Sequence, residues 1–94
     1  MTKSTVMMVN MIYKRVPMDF SWPLGKVWDG YVKQTIVEPP AGNGFQLWET
    51  TTEGAPISPV FQTLDELCAW AAKHATTFGK TKVSKAEWHK ILTR

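Results

Sequence analysis

The sequence predicts an α+β fold: a small antiparallel sheet containing a hairpin over residues 45–61, with two C-terminal helices packed on one face. Three observations carry that prediction. Thr63-Leu64-Asp65-Glu66 and Ser84-Lys85-Ala86-Glu87 each place a hydroxyl residue three positions before a glutamate. At that spacing the hydroxyl accepts from the glutamate's backbone N–H and the carboxylate reaches back to the cap's own N–H, the signature of a helix start. Phe45 to Thr52 is the strongest strand pattern in the chain, and Val16 to Gly30 is broken by Pro17, Pro23, Gly25 and Gly30.

In chain order, Val6 to Lys14 is apolar on both faces (Val6, Met8, Ile12; Met7, Val9, Met11, Tyr13). It reads as a strand covered on both sides, or one whose second face meets a partner. The opening MTKSTVMMVNMIYKRVP has a lysine before an apolar run, but Asn10 interrupts the run and no small-residue cleavage site precedes Lys14-Arg15. It is read as an intracellular strand rather than a signal peptide. Residues 17–31 carry Phe20, Trp22, Leu24 and Trp28 among prolines and glycines. The breakers forbid a long helix or central strand, while the rings require an ordered loop packed onto the body.

Trp28 to Val37 is β-friendly and predicts a short strand, stopped by Glu38-Pro39-Pro40-Ala41-Gly42-Asn43-Gly44. Phe45 and Leu47 then share one strand face, and Gln46, Trp48 and Thr50 the other. Glu53-Gly54-Ala55-Pro56 reads as a turn and Ile57 to Phe61 as the returning arm, placed at a sheet edge because Pro59 cannot donate to a ladder. Helices are expected over about residues 63–76 and 84–93. In the first, Leu64, Leu67, Cys68, Ala71 and Ala75 form one apolar stripe flanked by Trp70, with Gly79 as a left-handed turn residue beyond His74. In the second, Trp88, Ile91 and Leu92 share a face, and Val83 before the cap staples onto Trp88.

The 94 residues make a single domain, 1–94, with a modest core. Five Trp, four Phe and two Tyr supply much of its apolar area. One cysteine cannot form an internal disulfide, which suits a reducing compartment. No apolar run reaches transmembrane length, so no membrane association is expected. The net charge of +3 is uneven: residues 1–70 carry −2, whereas Lys73, Lys80, Lys82, Lys85, Lys90 and Arg94 against Glu87 give +5. A solvated helix end explains this cluster, and contact with phosphate or an acidic protein surface is the alternative.

No residue set specifies a reaction, and the chain is read as non-enzymatic, without cofactor or metal. Cys68 lies inside the apolar stripe, where a thiol behaves as a small hydrophobe. His74 and His89 have no carboxylate or cysteine at ligand spacing. Asp19, Asp29, Glu49 and Glu53 show no pairing pattern for general acid–base work and suit ion pairs or caps. Gly42-Asn43-Gly44 lacks the flanking strand and helix of a phosphate loop. The aromatic surplus of Phe20, Trp22, Trp28, Trp48, Trp70 and Trp88 is either core or a binding face, since Trp and Tyr dominate interface hot spots.

Two segments carry a resemblance. Arg15-Val16-Pro17-Met18-Asp19-Phe20-Ser21-Trp22-Pro23-Leu24-Gly25-Lys26-Val27-Trp28-Asp29-Gly30-Tyr31 resembles the opening of a family of small bacteriophage and prophage proteins. Gly44 to Thr50, continuing through Glu53 to Phe61, resembles a second block of that family. Longer relatives carry a cysteine-rich segment between the blocks; here Val32 to Pro40 joins them without a cysteine, so any metal site of those relatives is missing. The resemblance implies phage origin and no particular activity. Small phage proteins of this kind bind and block host machinery, CRISPR–Cas effectors included. Inhibitors that mimic DNA are acidic and this chain is basic, so blocking would work through a shaped aromatic and basic surface.

The expected function is therefore a non-enzymatic phage accessory protein in the host bacterial cytoplasm that binds and inhibits a host protein complex, with anti-CRISPR inhibition of a Cas effector as its specific form. Phe20, Trp22 and Trp28 are its expected contact residues, with at least one of the two indoles partly exposed. The alternative is a small nucleic-acid-binding protein using Lys80, Lys82, Lys85, Lys90 and Arg94. An apolar edge strand invites pairing, so the expected state is a monomer or a homodimer joined through the Met-rich N-terminal strand.

Overall fold

The computed structural model describes residues 11–32, 36–50, 54–76 and 81–93. Its fold is α+β, with a three-stranded antiparallel sheet in the order β1-β2-β3. Strand β1 (Met11–Val16) pairs with β2 (Gly44–Glu49) from Met11↔Glu49 to Val16↔Gly44 without interruption. Strand β3 (Ala55–Pro56) pairs with the far end of β2. Helices α1 (Leu64–His74) and α2 (Lys85–Thr93) complete the element order.

The first helix start is the full reciprocal box that its spacing predicts, and the second shows the bond to the cap hydroxyl. Thr63 Oγ1 accepts from Glu66 N–H at 3.1 Å, and the Glu66 carboxylate accepts from Thr63 N–H at 3.3 Å. Ser84 Oγ accepts from Glu87 N–H at 3.2 Å. The last turn of α1 closes with Ala75 N–H on the Ala71 carbonyl. Gly79, expected to turn the chain there, lies outside the described residues.

Strand pleating divides the sheet into two faces. On the first, Leu47 of β2 joins Leu67, Cys68, Ala71, Ala75, Trp88 and Leu92 in one buried cluster, with Met11, Tyr13, Phe45, Phe61 and Val83 packed against it. Trp48 and Val16, from the other face, are wholly buried yet belong to no part of that cluster. A second packing layer therefore covers the sheet opposite the helices, and it is made by the loop segment between β1 and β2.

Three expectations are corrected. The N-terminal strand expected over Val6 to Lys14 is described from Met11 and runs on to Val16, where Pro17 ends it; residues 1–10 lie outside the described residues. Where a strand is expected over Trp28 to Val37, Asp29–Tyr31 form a 3-10 turn, and residues 33–35 lie outside the described residues. Val37 N–H donates to the Gly30 carbonyl at 3.2 Å, so the chain folds back on itself and cannot extend. The return arm begins earlier than Ile57: Ala55 and Pro56, expected in the turn, are already paired. Its ladder is then interrupted, because the Leu47 N–H donates to Ser58 Oγ at 2.9 Å in place of a backbone carbonyl, and resumes only at the isolated Phe45↔Phe61 bridge. Exposed Pro59 sits in that gap, at the sheet edge where its missing N–H costs nothing.

Candidate partner-binding face

The loop layer is an ordered strap. Phe20 N–H donates to the Pro17 carbonyl and Lys26 N–H to the Pro23 carbonyl, giving two tight turns. The strap is then sewn to the outer side of β3: Gly25 N–H donates to the Pro56 carbonyl at 2.7 Å and Trp28 N–H to the Gly54 carbonyl at 3.0 Å. These bonds satisfy backbone groups that an edge strand would otherwise leave open.

The rings form a continuous network. Trp22 and Trp28 meet edge-to-face at 4.8 Å between centroids, and Phe20 lies 5.7 Å from Trp28. Phe20 and Tyr31 reach down to Trp48 at 6.5 and 6.3 Å. Trp22 Nε1–H donates to the Lys26 carbonyl and Trp28 Nε1–H to the Val37 carbonyl, at 3.0 and 2.8 Å. Both indoles are thus fixed in orientation. Phe20, Trp22 and Trp28 are brought together, half-buried, on the side away from the helices.

A polar clasp closes the strap over the sheet. Tyr31 Oη–H donates to Glu38 Oε1 at 2.6 Å, and Lys14 Nζ from β1 reaches the same oxygen at 3.3 Å. Lys14 also lies 5.6 Å from the Tyr31 ring centroid and 5.5 Å from that of Trp48, within cation–π range. Burial opposes the Lys14 charge, but Tyr31 and Glu38 outweigh it and raise its pKa above the ordinary value. Burial and the hydrogen bond to Glu38 push the Tyr31 phenol up. The hydrogen bond from Tyr31, opposed in part by burial and assisted by Lys14, draws the Glu38 carboxyl below its usual value.

The strap shows large apolar side chains to solvent among polar ones such as Asp19, Lys26 and Glu38. All five exposed large hydrophobic side chains among the described residues fall on it: Met18, Leu24, Val32, Ile36 and Val37, each between 46% and 59% exposed. Sequence reading missed these five, since apolar residues in a proline- and glycine-broken stretch have no period that distinguishes inward from outward positions. Lys26 Nζ lies 5.1 Å from the Trp22 ring centroid.

No protein-family model, curated protein or solved structure matches the chain.

The basic residues are placed differently. Lys80 and Arg94 lie outside the described residues. Lys85 Nζ is 2.9 Å from Asp65 Oδ1, joining the starts of the two helices. Lys82 donates to the Lys73 carbonyl, and Lys90 is exposed on α2. Cys68 is buried in the helix-face core, where burial and the nearby Asp65 charge raise its thiol pKa. That environment disfavours the thiolate a nucleophile needs. His74 is exposed with its ring 5.3 Å from Trp70, and His89 is exposed on α2. Among the described residues no group of three or more His, Cys, Asp or Glu could hold a metal ion, and no helix is long and apolar enough to cross a membrane.

Proposed function

We propose that this protein is a non-enzymatic phage accessory protein that binds and inhibits a host protein complex in the bacterial cytoplasm, and that its specific form is an anti-CRISPR inhibitor of a Cas effector. The observation that supports a binding role is the gathering of every exposed large hydrophobic side chain among the described residues on one strap, beside two oriented indoles. Exposed apolar groups gathered in this way mark interaction surfaces, and a strap held by backbone bonds and a polar clasp loses little freedom on binding. The phage and Cas parts of the proposal rest on the resemblance of residues 15–31 and 44–61 to phage proteins.

The test has two arms. Affinity capture from host lysate with the full chain as bait is expected to recover a defined protein complex, and expression in CRISPR-protected cells is expected to restore plaque formation by a targeted phage. Capture of no host protein together with unchanged plaque numbers overturns the proposal. Capture without restored plaques retains the binding role and removes the Cas assignment.

A further inference from the structure

The two edges of the sheet are treated differently. The β3 edge is closed by the strap through the bonds from Gly25 and Trp28. The peptide groups of Phe45 and Leu47 point toward the β3 side, where they bond Phe61, Ile57 and Ser58. By the alternation of an antiparallel ladder, those of Gly44, Gln46 and Trp48 point to β1. Their register partners Val16, Lys14 and Ile12 therefore complete the β1–β2 ladder. Met11, Tyr13 and Arg15 direct their backbone N–H and C=O groups outward, and among the described residues no group is recorded against them.

Proteins guard such an edge with bulges, prolines or cations standing over it. Strand β1 has no proline and an unbroken register. Its two cations are both turned onto their own molecule: Lys14 into the clasp, and Arg15 over the Phe45 ring at 3.9 Å with bonds to the Asn43 and Gly44 carbonyls. Of the registers centred on Tyr13, Lys14 and Arg15, charge favours one for self-pairing. Centred on Lys14 or Arg15, two antiparallel copies would oppose identical cations. Centred on Tyr13, they overlap from Met11 to Arg15, with Met11 facing Arg15 and Ile12 facing Lys14 of the second copy.

We propose that two copies of this chain associate through the outer edges of β1, antiparallel, about a twofold axis at Tyr13. Opposed residues of an antiparallel pair share a face, so the joined sheet carries both straps on the same side. Sedimentation equilibrium of the full chain over a range of concentrations tests it, together with amide hydrogen exchange along β1. The expected result is a doubled mass at high concentration, with the Met11, Tyr13 and Arg15 amides protected along with those of Ile12 and Lys14. Arg15→Pro, which removes an outward N–H that the β1–β2 ladder does not use, is expected to return the mass to that of one chain. A single-chain mass at every concentration overturns the proposal. So does a doubled mass in which the Met11, Tyr13 and Arg15 amides exchange freely; that reading needs no variant to fold.

Discussion

Trp48 and Gln46, neighbours on one face of β2, are bonded to each other: the indole Nε1–H donates to Gln46 Oε1 at 2.9 Å, and both side chains are buried. Gln46 Nε2–H in turn donates to the Ser58 carbonyl at 2.8 Å. The second large buried indole, Trp88, differs here: among the described residues its Nε1–H has no hydrogen-bond partner. The two sites separate the apolar from the polar contribution of a buried tryptophan. Both Trp→Phe changes lose similar apolar volume. Trp48→Phe also leaves the Gln46 oxygen buried without a donor, while Trp88→Phe removes an N–H with no partner among the described residues. A buried group left without a partner costs about 1–3 kcal/mol. Trp48→Phe is therefore expected to destabilise by at least about 1 kcal/mol more than Trp88→Phe, read from urea unfolding midpoints; equal costs would contradict it.

A glycine on the strap and one on the segment it is bonded to give a second test. Gly25 has φ +82° with open space around a built Cβ, whereas Gly54 has φ +108° and a Cβ there would lie 2.8 Å from the Tyr31 ring. Gly25→Ala is expected to cost about 1–2 kcal/mol, the backbone penalty alone. Gly54→Ala is expected to cost more, because Tyr31 must also move from Trp48 and Glu38. Thermal unfolding of the two variants orders them, and an equal or reversed order would contradict the packing described.

The clasp sets a pH dependence. Glu38 has a lowered pKa when folded, so its contribution is present above the unfolded-state value and is lost as pH falls through the lowered one. Lys14 has a raised pKa, so its contribution is present below the unfolded-state value and is lost as pH rises through the raised one. Between those limits the clasp contribution is constant. Because Glu38 is largely exposed, the Lys14–Glu38 coupling in a double-mutant cycle is expected to be about 0.2–1 kcal/mol near neutrality. It should shrink in acid and with added salt. Coupling that grows as the pH falls below the carboxylate range would contradict the assignment.

The helices, the central strand and the edge position of the return arm were legible in the sequence because each rests on a local signal: a cap, an alternation, a proline. Ala55 and Pro56 were misplaced because a turn signal also fits the start of a strand. Residues 29–31 were misread because the β-propensity of Trp28, Tyr31, Val32 and Ile36 is outweighed by a tertiary demand, the covering of Trp48 by Tyr31. The candidate site was half legible. Phe20, Trp22 and Trp28 stand out by type, but Lys14 and Glu38 are 24 residues apart and meet beside the bond from Val37 N–H to the Gly30 carbonyl. The outward turn of Leu24, Ile36 and Val37 likewise follows from which rings fill the space beneath, and no local pattern encodes that.

The central claim is that the strap is a recognition surface on a scaffold that does not depend on its outward side chains. The most direct measurement pairs partner capture with thermal unfolding for Leu24→Ser, Ile36→Ser and the two combined. Residues this exposed are expected to change stability by no more than about 0.5 kcal/mol, while the double variant loses capture of the host complex. Undiminished capture by the folded double variant would contradict the claim, as would a stability loss of several kcal/mol, which would show that these side chains belong to the core.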